Sequence, residues 1–272
     1  MTLSFIKMHG LGNDYVYVDC FPSETAALLA KTDLSALARR LSDRHRGIGS
    51  DGLVLILPDA NADARMRIFN ADGSEAQMCG NAIRCVGKYL YESSLCPRKR
   101  LFIATRAGIR SLELQLKKET VEQVTVNMGT PVIRPDALKL HSDPLGFMSV
   151  NMGNPHAVFF RNTVAALDEL HVLGETISTH PHFSEGVNVE FVHVRNSNEI
   201  DVRVWERGSG ETLACGTGAC AAAVAAIRQG WTGREVTVHL PGGDLTINWP
   251  SDLQPVFMTG PATEAFRGTC QL

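Results

Sequence analysis

Two cysteines are set apart by their surroundings. Cys79 closes the stretch Asn70-Ala-Asp-Gly-Ser-Glu-Ala-Gln-Met-Cys79, and Cys215 closes Glu206-Arg-Gly-Ser-Gly-Glu-Thr-Leu-Ala-Cys215. In both, a glutamate (Glu75, Glu211) stands four residues before the cysteine and a glycine follows it. An apolar run then begins in each case, and the composition predicts helices over Gly80–Glu92 and Gly216–Gln229. The first N–H groups of a helix lack internal partners and carry partial positive charge. A thiolate there is stabilised, so its pKa is expected to fall, and the same groups can hold a carboxylate. Two such positions offer a base to one face of an acidic carbon and an acid to the other. Thiols suit both tasks because they titrate near neutral pH.

The chain holds seven cysteines. Free cysteine is commonly a small core residue, and that reading is taken for Cys20, Cys85, Cys96, Cys220 and Cys270. Structural zinc favours cysteine pairs two to four residues apart, whereas the spacings here are 79/85 and 215/220. No C-x-x-C redox motif occurs. An odd cysteine count without a secretory signal argues against a disulfide framework. The expected setting is therefore the cytoplasm, where free thiols remain available.

The elements that position these cysteines show a duplication. The two cysteine segments are offset by 136 residues, half the chain. Gly12-Asn13 is echoed by Gly153-Asn154, and Gly52-Leu53 falls opposite Asn188-Val189. Matches in the same order suggest two copies of one domain plan, facing a shared cleft. Strands are expected at Tyr15–Asp19, Leu53–Leu57, Arg65–Asn70, Val121–Met128, Ala157–Phe160, Val187–Val194, Ile200–Trp205, Glu235–Leu240 and Asp244–Trp249, from β-branched and alternating content. Shorter helices are expected at Ser23–Leu29 and Ser35–Asp43. The two helices behind the cysteines are largely apolar all round, which marks them as buried. The fold class is α+β. Two pseudo-symmetric lobes are expected, each a curved, barrel-like, mostly antiparallel sheet around a central helix, with the active site in the cleft. The first lobe is placed at residues 1–121, with segment 262–272 packing back on it, and the second at 122–261.

A net charge of -3 and a pI near 6.3 lack the basic face of a nucleic-acid binder. The basic run Arg98-Lys99-Arg100 reads as a solvated turn after Pro97. No apolar stretch reaches the roughly 18 residues of a membrane span.

The motifs together resemble the diaminopimelate epimerase family. They are His9-Gly-Leu-Gly-Asn13-Asp-Tyr, Gly47-Ile-Gly-Ser-Asp-Gly52, the segments around Cys79 and Cys215, Gly153-Asn-Pro-His156 and Gly186-Val-Asn188-Val-Glu-Phe. They span almost the whole chain in order. The resemblance implies interconversion of LL- and meso-diaminopimelate for lysine and cell-wall synthesis, with no cofactor and no metal. It implies Cys79 and Cys215 as the acid/base pair, tuned by His156 and Glu206. Gly80, Asn81, Gly216 and Thr217 would hold the reacting carboxylate. Asn13, Asn70, Asn154, Asn188, Glu206 and Arg207 would bind the remaining polar groups of this small amino-acid substrate. A homodimer is also implied. Gly52 stands where members often carry Gln, and Phe266 where they often carry Tyr, at a position associated with the dimer interface. The alternatives are a proline-racemase-like enzyme of the same fold and a non-catalytic amino-acid-binding protein.

Overall fold

The computed structural model describes residues 2–140 and 143–272. The chain divides into two units, residues 1–126 with 260–272, and residues 127–259. The first boundary therefore falls inside a strand, past the expected 121/122, and the C-terminal return begins at Gly260.

The first unit carries β1 (Thr2–Gly10), β2 (Asn13–Asp19), α1 (Ser23–Leu29), α2 (Leu34–Ser42), β3 (Gly52–Leu57), β4 (Ala64–Asn70), β5 (Glu75–Ala76), α3 (Gly80–Glu92), β6 (Arg100–Thr105), β7 (Gly108–Lys117) and β8 (Thr120–Gly129). The second carries β9 (Val132–Leu140), β10 (Asp143–Asn151), β11 (Pro155–Phe160), a 3-10 turn (Ala165–Glu169), α4 (Leu170–Ser178), β12 (Asn188–Asn196), β13 (Glu199–Glu206), β14 (Gly210–Thr212), α5 (Gly216–Arg228), β15 (Glu235–Leu240), β16 (Gly243–Asn248) and β17 (Val256–Gly260). The chain then returns to the first unit as β18 (Thr263–Gln271).

Strand pairing gives the two units one plan. The first runs β18-β1-β2-β3-β4-β6-β7-β8, with β5 added to β4. The second runs β9-β10-β11-β12-β13-β15-β16-β17, with β14 added to β13. The parallel pairs fall at equivalent places, β2/β3 and β4/β6 against β11/β12 and β13/β15. The faint echo of Gly52 with Asn188 marks the first residues of the equivalent strands β3 and β12.

Each sheet wraps a helix. α3 packs on β1, β2 and β7, strands far apart in the sheet order, so the sheet must curve around it. α5 likewise touches β10, β11, β12, β13, β15 and β16. Gly80 to Leu90 are buried without a break, as are Gly218 to Ile227. The small side chains of α5 let strands approach it from several sides. α3 instead buries two cations, Arg84 and Lys88. Lys88 is paired with Glu92 and donates to the Val121 carbonyl. On the outer face of the first unit, Leu29, Leu37, Ala38 and Leu41 of the shorter helices close a core with Val16, Val18, Leu53 and Leu55. Leu167, Leu170 and Ile177 do the same over Phe159 and Phe191 in the second unit. There α4 lies close on β13 because Gly174 has no Cβ, which would stand 2.6 Å from the Trp205 ring.

Several strands escape the coarse sequence reading. β1 hides its period because Lys7 is buried in the middle of the strand. β6 begins at Arg100, so the basic run enters a strand instead of ending as a turn, although all three residues are exposed.

Candidate active site

Each cysteine occupies the N-cap of its buried helix. Cys79 has extended backbone angles (φ -136°, ψ 122°), and its sulfur accepts from the Ala82 N–H at 3.5 Å. Its thiol lies 3.5 Å from Asn13 Oδ1, which also accepts from Asn81 Nδ2 at 3.3 Å. Asn13 sits at the start of β2, and its Nδ2 donates to Asp51 Oδ2 at 2.8 Å. Behind the helix start, the fully buried Arg84 donates to the Gly80 carbonyl and to Asn81 Oδ1, and its Nε donates to the Pro261 carbonyl. This cation fixes the turn that presents Gly80 and Asn81. Asn70 instead closes its own turn, donating to Ser74 Oγ at 3.0 Å.

The second half-site is deeper. Cys215 is 4% exposed and caps α5 (φ -117°, ψ 114°). Its sulfur lies 3.6 Å from Thr217 Oγ1. Asn154 Nδ2 donates to the same hydroxyl at 3.3 Å, and Asn154 Oδ1 faces His156 Nε2 at 3.0 Å. His156 Nδ1 meets Glu190 Oε1 at 2.6 Å, with both side chains at 0% exposure. Four side chains therefore run in file from Glu190 to the neighbourhood of Cys215. Glu206 accepts from Thr212 Oγ1 at 2.8 Å. Asn188 donates to the Pro155 carbonyl and accepts from the Arg207 N–H, so it ties together the ends of β11 and β13. The Arg207 guanidinium donates to the Glu185 carbonyl at 2.7 Å. Thus His156, Asn154 and Thr217 gather beside Cys215, and Asn13 and Asn81 gather beside Cys79.

The electrostatics correct one expectation. Burial pushes the Cys215 thiol well above its ordinary pKa, and the charges of Glu206 and Glu190 push the same way. They outweigh the opposing hydrogen bonds from Thr217 and the Gly218 N–H. A helix N-terminus offers about half a unit charge, too little against burial and two carboxylates. Burial also raises the Glu190 carboxyl, opposed by His156. Among the other thiols, burial lifts Cys20 to about 12 and Cys85 to about 11, as suits inert core residues. Cys220 is fully buried, while Cys96 and Cys270 are half-buried. Among the described residues, no three His, Cys, Asp or Glu side chains are placed as metal ligands.

Sequence reasoning passed over Asp51, Arg84 and Glu190. The signal for Glu190 was available: a lone carboxylate inside the apolar strand Val187–Val194, in alternation with Asn188. Asp51 lay in the motif before β3 but has no periodicity to mark it.

Comparison with known proteins bears on this arrangement. A family model described as Diaminopimelate epimerase matches residues 5–134 and 148–264. The chain is 48% identical to a diaminopimelate epimerase of Pelotomaculum thermopropionicum, over 98% of each chain. It is 45% identical to one of Methanococcus maripaludis, over 98% of this chain and 99% of that one. Among solved structures it resembles a hydroxyproline epimerase from Agrobacterium vitis, with TM-score 0.70 and 17% identity over 98% of this chain and 92% of that one. It also resembles a Bacillus anthracis phenazine biosynthesis protein of the PhzF family, with TM-score 0.74 and 16% identity over the full length of both. The two solved structures share the fold.

Proposed function

We propose a mechanism from one premise: this chain belongs to the diaminopimelate epimerase family. The chain is an isomerase that epimerises diaminopimelate. The direction we assign is LL to meso, serving lysine and peptidoglycan precursor synthesis in the cytoplasm. The low identity to the hydroxyproline epimerase leaves the proline-type reading with a shared fold alone.

Cys79 and Cys215 are the acid and base. One enters the reaction as thiolate and removes the α-proton. The electron pair left on carbon is drawn toward the neighbouring carboxylate. The other cysteine, as thiol, delivers its proton to the opposite face. One sulfur gains a proton and the other loses one, so the enzyme ends in the mirror protonation state. The observation that supports this reading is the placement of both sulfurs at the N-caps of buried helices in units of one topology. The backbone N–H groups of Gly80, Asn81, Gly216 and Thr217 take the reacting carboxylate, where helix-end charge favours an anion. No cofactor is required, because the thiols supply both proton transfers. His156 orients Asn154 and Thr217 beside Cys215, and Glu206 keeps that thiol protonated until substrate arrives. Asn13, Asn70, Asn154, Asn188, Glu206 and Arg207 take up the remaining ammonium and carboxylate groups, with Arg207 as the cation for the distal carboxylate. The protein acts as a homodimer, with the exposed Phe266 of β18 at its contact.

The test is epimerisation of LL-diaminopimelate in deuterated water, with proline as a control. Early in the reaction deuterium should enter the meso product and be scarce in recovered LL substrate, because different residues remove and deliver the proton. Cys79→Ser and Cys215→Ser should each nearly abolish turnover. Rapid labelling of recovered substrate would indicate a single base and sink the assignment.

A further inference from the structure

We propose that Asp51 is a positioning residue that locks the Asn13 carboxamide with its oxygen toward Cys79. Asp51 acts on Cys79 through Asn13. An ionised carboxylate can only accept hydrogen bonds. Asp51 Oδ2 takes the Asn13 Nδ2–H at 2.8 Å and the Asp14 N–H at 3.0 Å. Asn13 must therefore turn its oxygen to the other side, where the Cys79 thiol and Asn81 Nδ2 donate to it. The lock is itself anchored. The Asp51 N–H donates to the Asp14 carbonyl at 2.7 Å. Arg44 bridges Asp51 Oδ1 and Asp14 Oδ1 at 3.0 and 2.8 Å, and Lys7 pairs with Asp14 from β1. Burial and the Asp14 charge work against ionisation of Asp51, while the Asp14 N–H, Asn13 and Arg44 favour it.

The second unit provides an internal control. Asn154, the echo of Asn13, is backed by the His156 Nε2 and not by a carboxylate, and its amide is turned the other way. Its oxygen faces backward and its NH2 faces Thr217 beside Cys215. The group behind each asparagine thus decides whether the sulfur side receives an acceptor or a donor. In the first unit the acceptor holds the S–H that Cys79 carries once it has taken the α-proton, and it keeps the carbonyl, not the NH2, toward the reacting groups.

This role rests on Cys79 being a reacting residue, but its test does not. The pH midpoint of Cys79 alkylation by iodoacetamide, read by peptide mass spectrometry, would be measured in four proteins: wild type, Asp51→Asn, Asn13→Ala and the double variant. With Asp51 neutralised, the Asn13 amide can turn its N–H to the sulfur, and the midpoint should fall by about half a pH unit or more. Removing a nearby negative charge also lowers it, and that part survives in the Asn13→Ala background. The expected result is a shift at least twice as large with Asn13 present as without it. Equal shifts in the two backgrounds, or none in either, would overturn the lock. If a variant fails to fold, the unmodified protein decides the matter by 15N NMR. The Asn13 side-chain NH2 resonances should move with the titration of Asp51, and resonances blind to it refute the contact. A wild type that alkylates as expected but does not turn over diaminopimelate would remove the proposed function and leave the Asp51 result standing.

Discussion

Replacing Glu190 with leucine should cost the second unit a large part of its stability. Glu190 and His156 are each at 0% side-chain exposure and share one short contact of 2.6 Å. Leucine fills a similar volume, so the loss is polar and not a cavity. It leaves His156 Nδ1 without its partner, in a place solvent does not reach. Breaking a buried pair from one side costs about 3–5 kcal/mol, against a net stability of about 5–15 kcal/mol. With a urea slope of about 1–3 kcal/mol per molar, the midpoint should drop by roughly 2 M. The assay reads the right unit unaided. All three tryptophans, Trp205, Trp231 and Trp249, lie between residues 127 and 259, so tryptophan fluorescence follows the second unit alone. Pairing Glu190→Leu with His156→Phe removes both polar partners and should recover much of the loss. A single-variant midpoint within about 0.5 M of wild type, at a slope of about 2 kcal/mol per molar, would refute the reasoning. So would a double variant less stable than the single one.

Other expectations follow from particular contacts. Hydrogen bonds from Arg67, against a smaller effect of burial, hold the Glu75 carboxyl below its ordinary value. The resulting stability is present above the unfolded carboxylate pKa of about 4.3 and is lost as pH falls through the folded value. Acid unfolding followed by circular dichroism should therefore be steeper in wild type than in Glu75→Gln; matching curves would dismiss the pair. Gly52→Gln places a Cβ 2.1 Å from the Phe69 carbonyl across β3 and β4. Overpacking of this kind costs about 1–3 kcal/mol, and an unchanged melting temperature would show that the strands yield freely. Arg207→Met should raise the diaminopimelate dissociation constant roughly tenfold or more, as expected for a charge-assisted bond of about 1.5–3 kcal/mol; isothermal titration with equal affinity would take Arg207 out of the site.

The sequence made the helix ends legible because two independent signals meet there: an apolar run begins, and a cysteine with matched flanks precedes it. The same duplication foretold two units of one plan, and the strand order bears this out down to the parallel pairs. Periodicity worked where one face is buried and failed at β1, where Lys7 turns inward. Glu190 in β12 is buried because His156, 34 residues away, pairs with it, and no local pattern contains that partner. The thiol at Cys215 failed for a related reason. The helix-end effect is local and readable, whereas burial and the nearness of Glu190 and Glu206 arise only when the sheet closes on α5.

The pairing of β18 with β1 bears on how the chain is made. Thr2 pairs with Gln271, a separation of 269 residues, and β1 has only β2 on its other side. On the ribosome, residues 127–259 are synthesised before that partner exists. At about 5–20 residues per second, β1 spends some tens of seconds, roughly 13–50 s, with an open edge. Exposed strand edges invite pairing with other nascent chains. Lys7, in the middle of β1 and turned inward, is the kind of charge that discourages such pairing. In the folded unit Asp14 of the adjoining β2 takes up that charge, so the guard costs the finished strand no unpaired ion. The buried lysine that blurred the strand in the sequence is thus suited to protect the strand during its exposed interval.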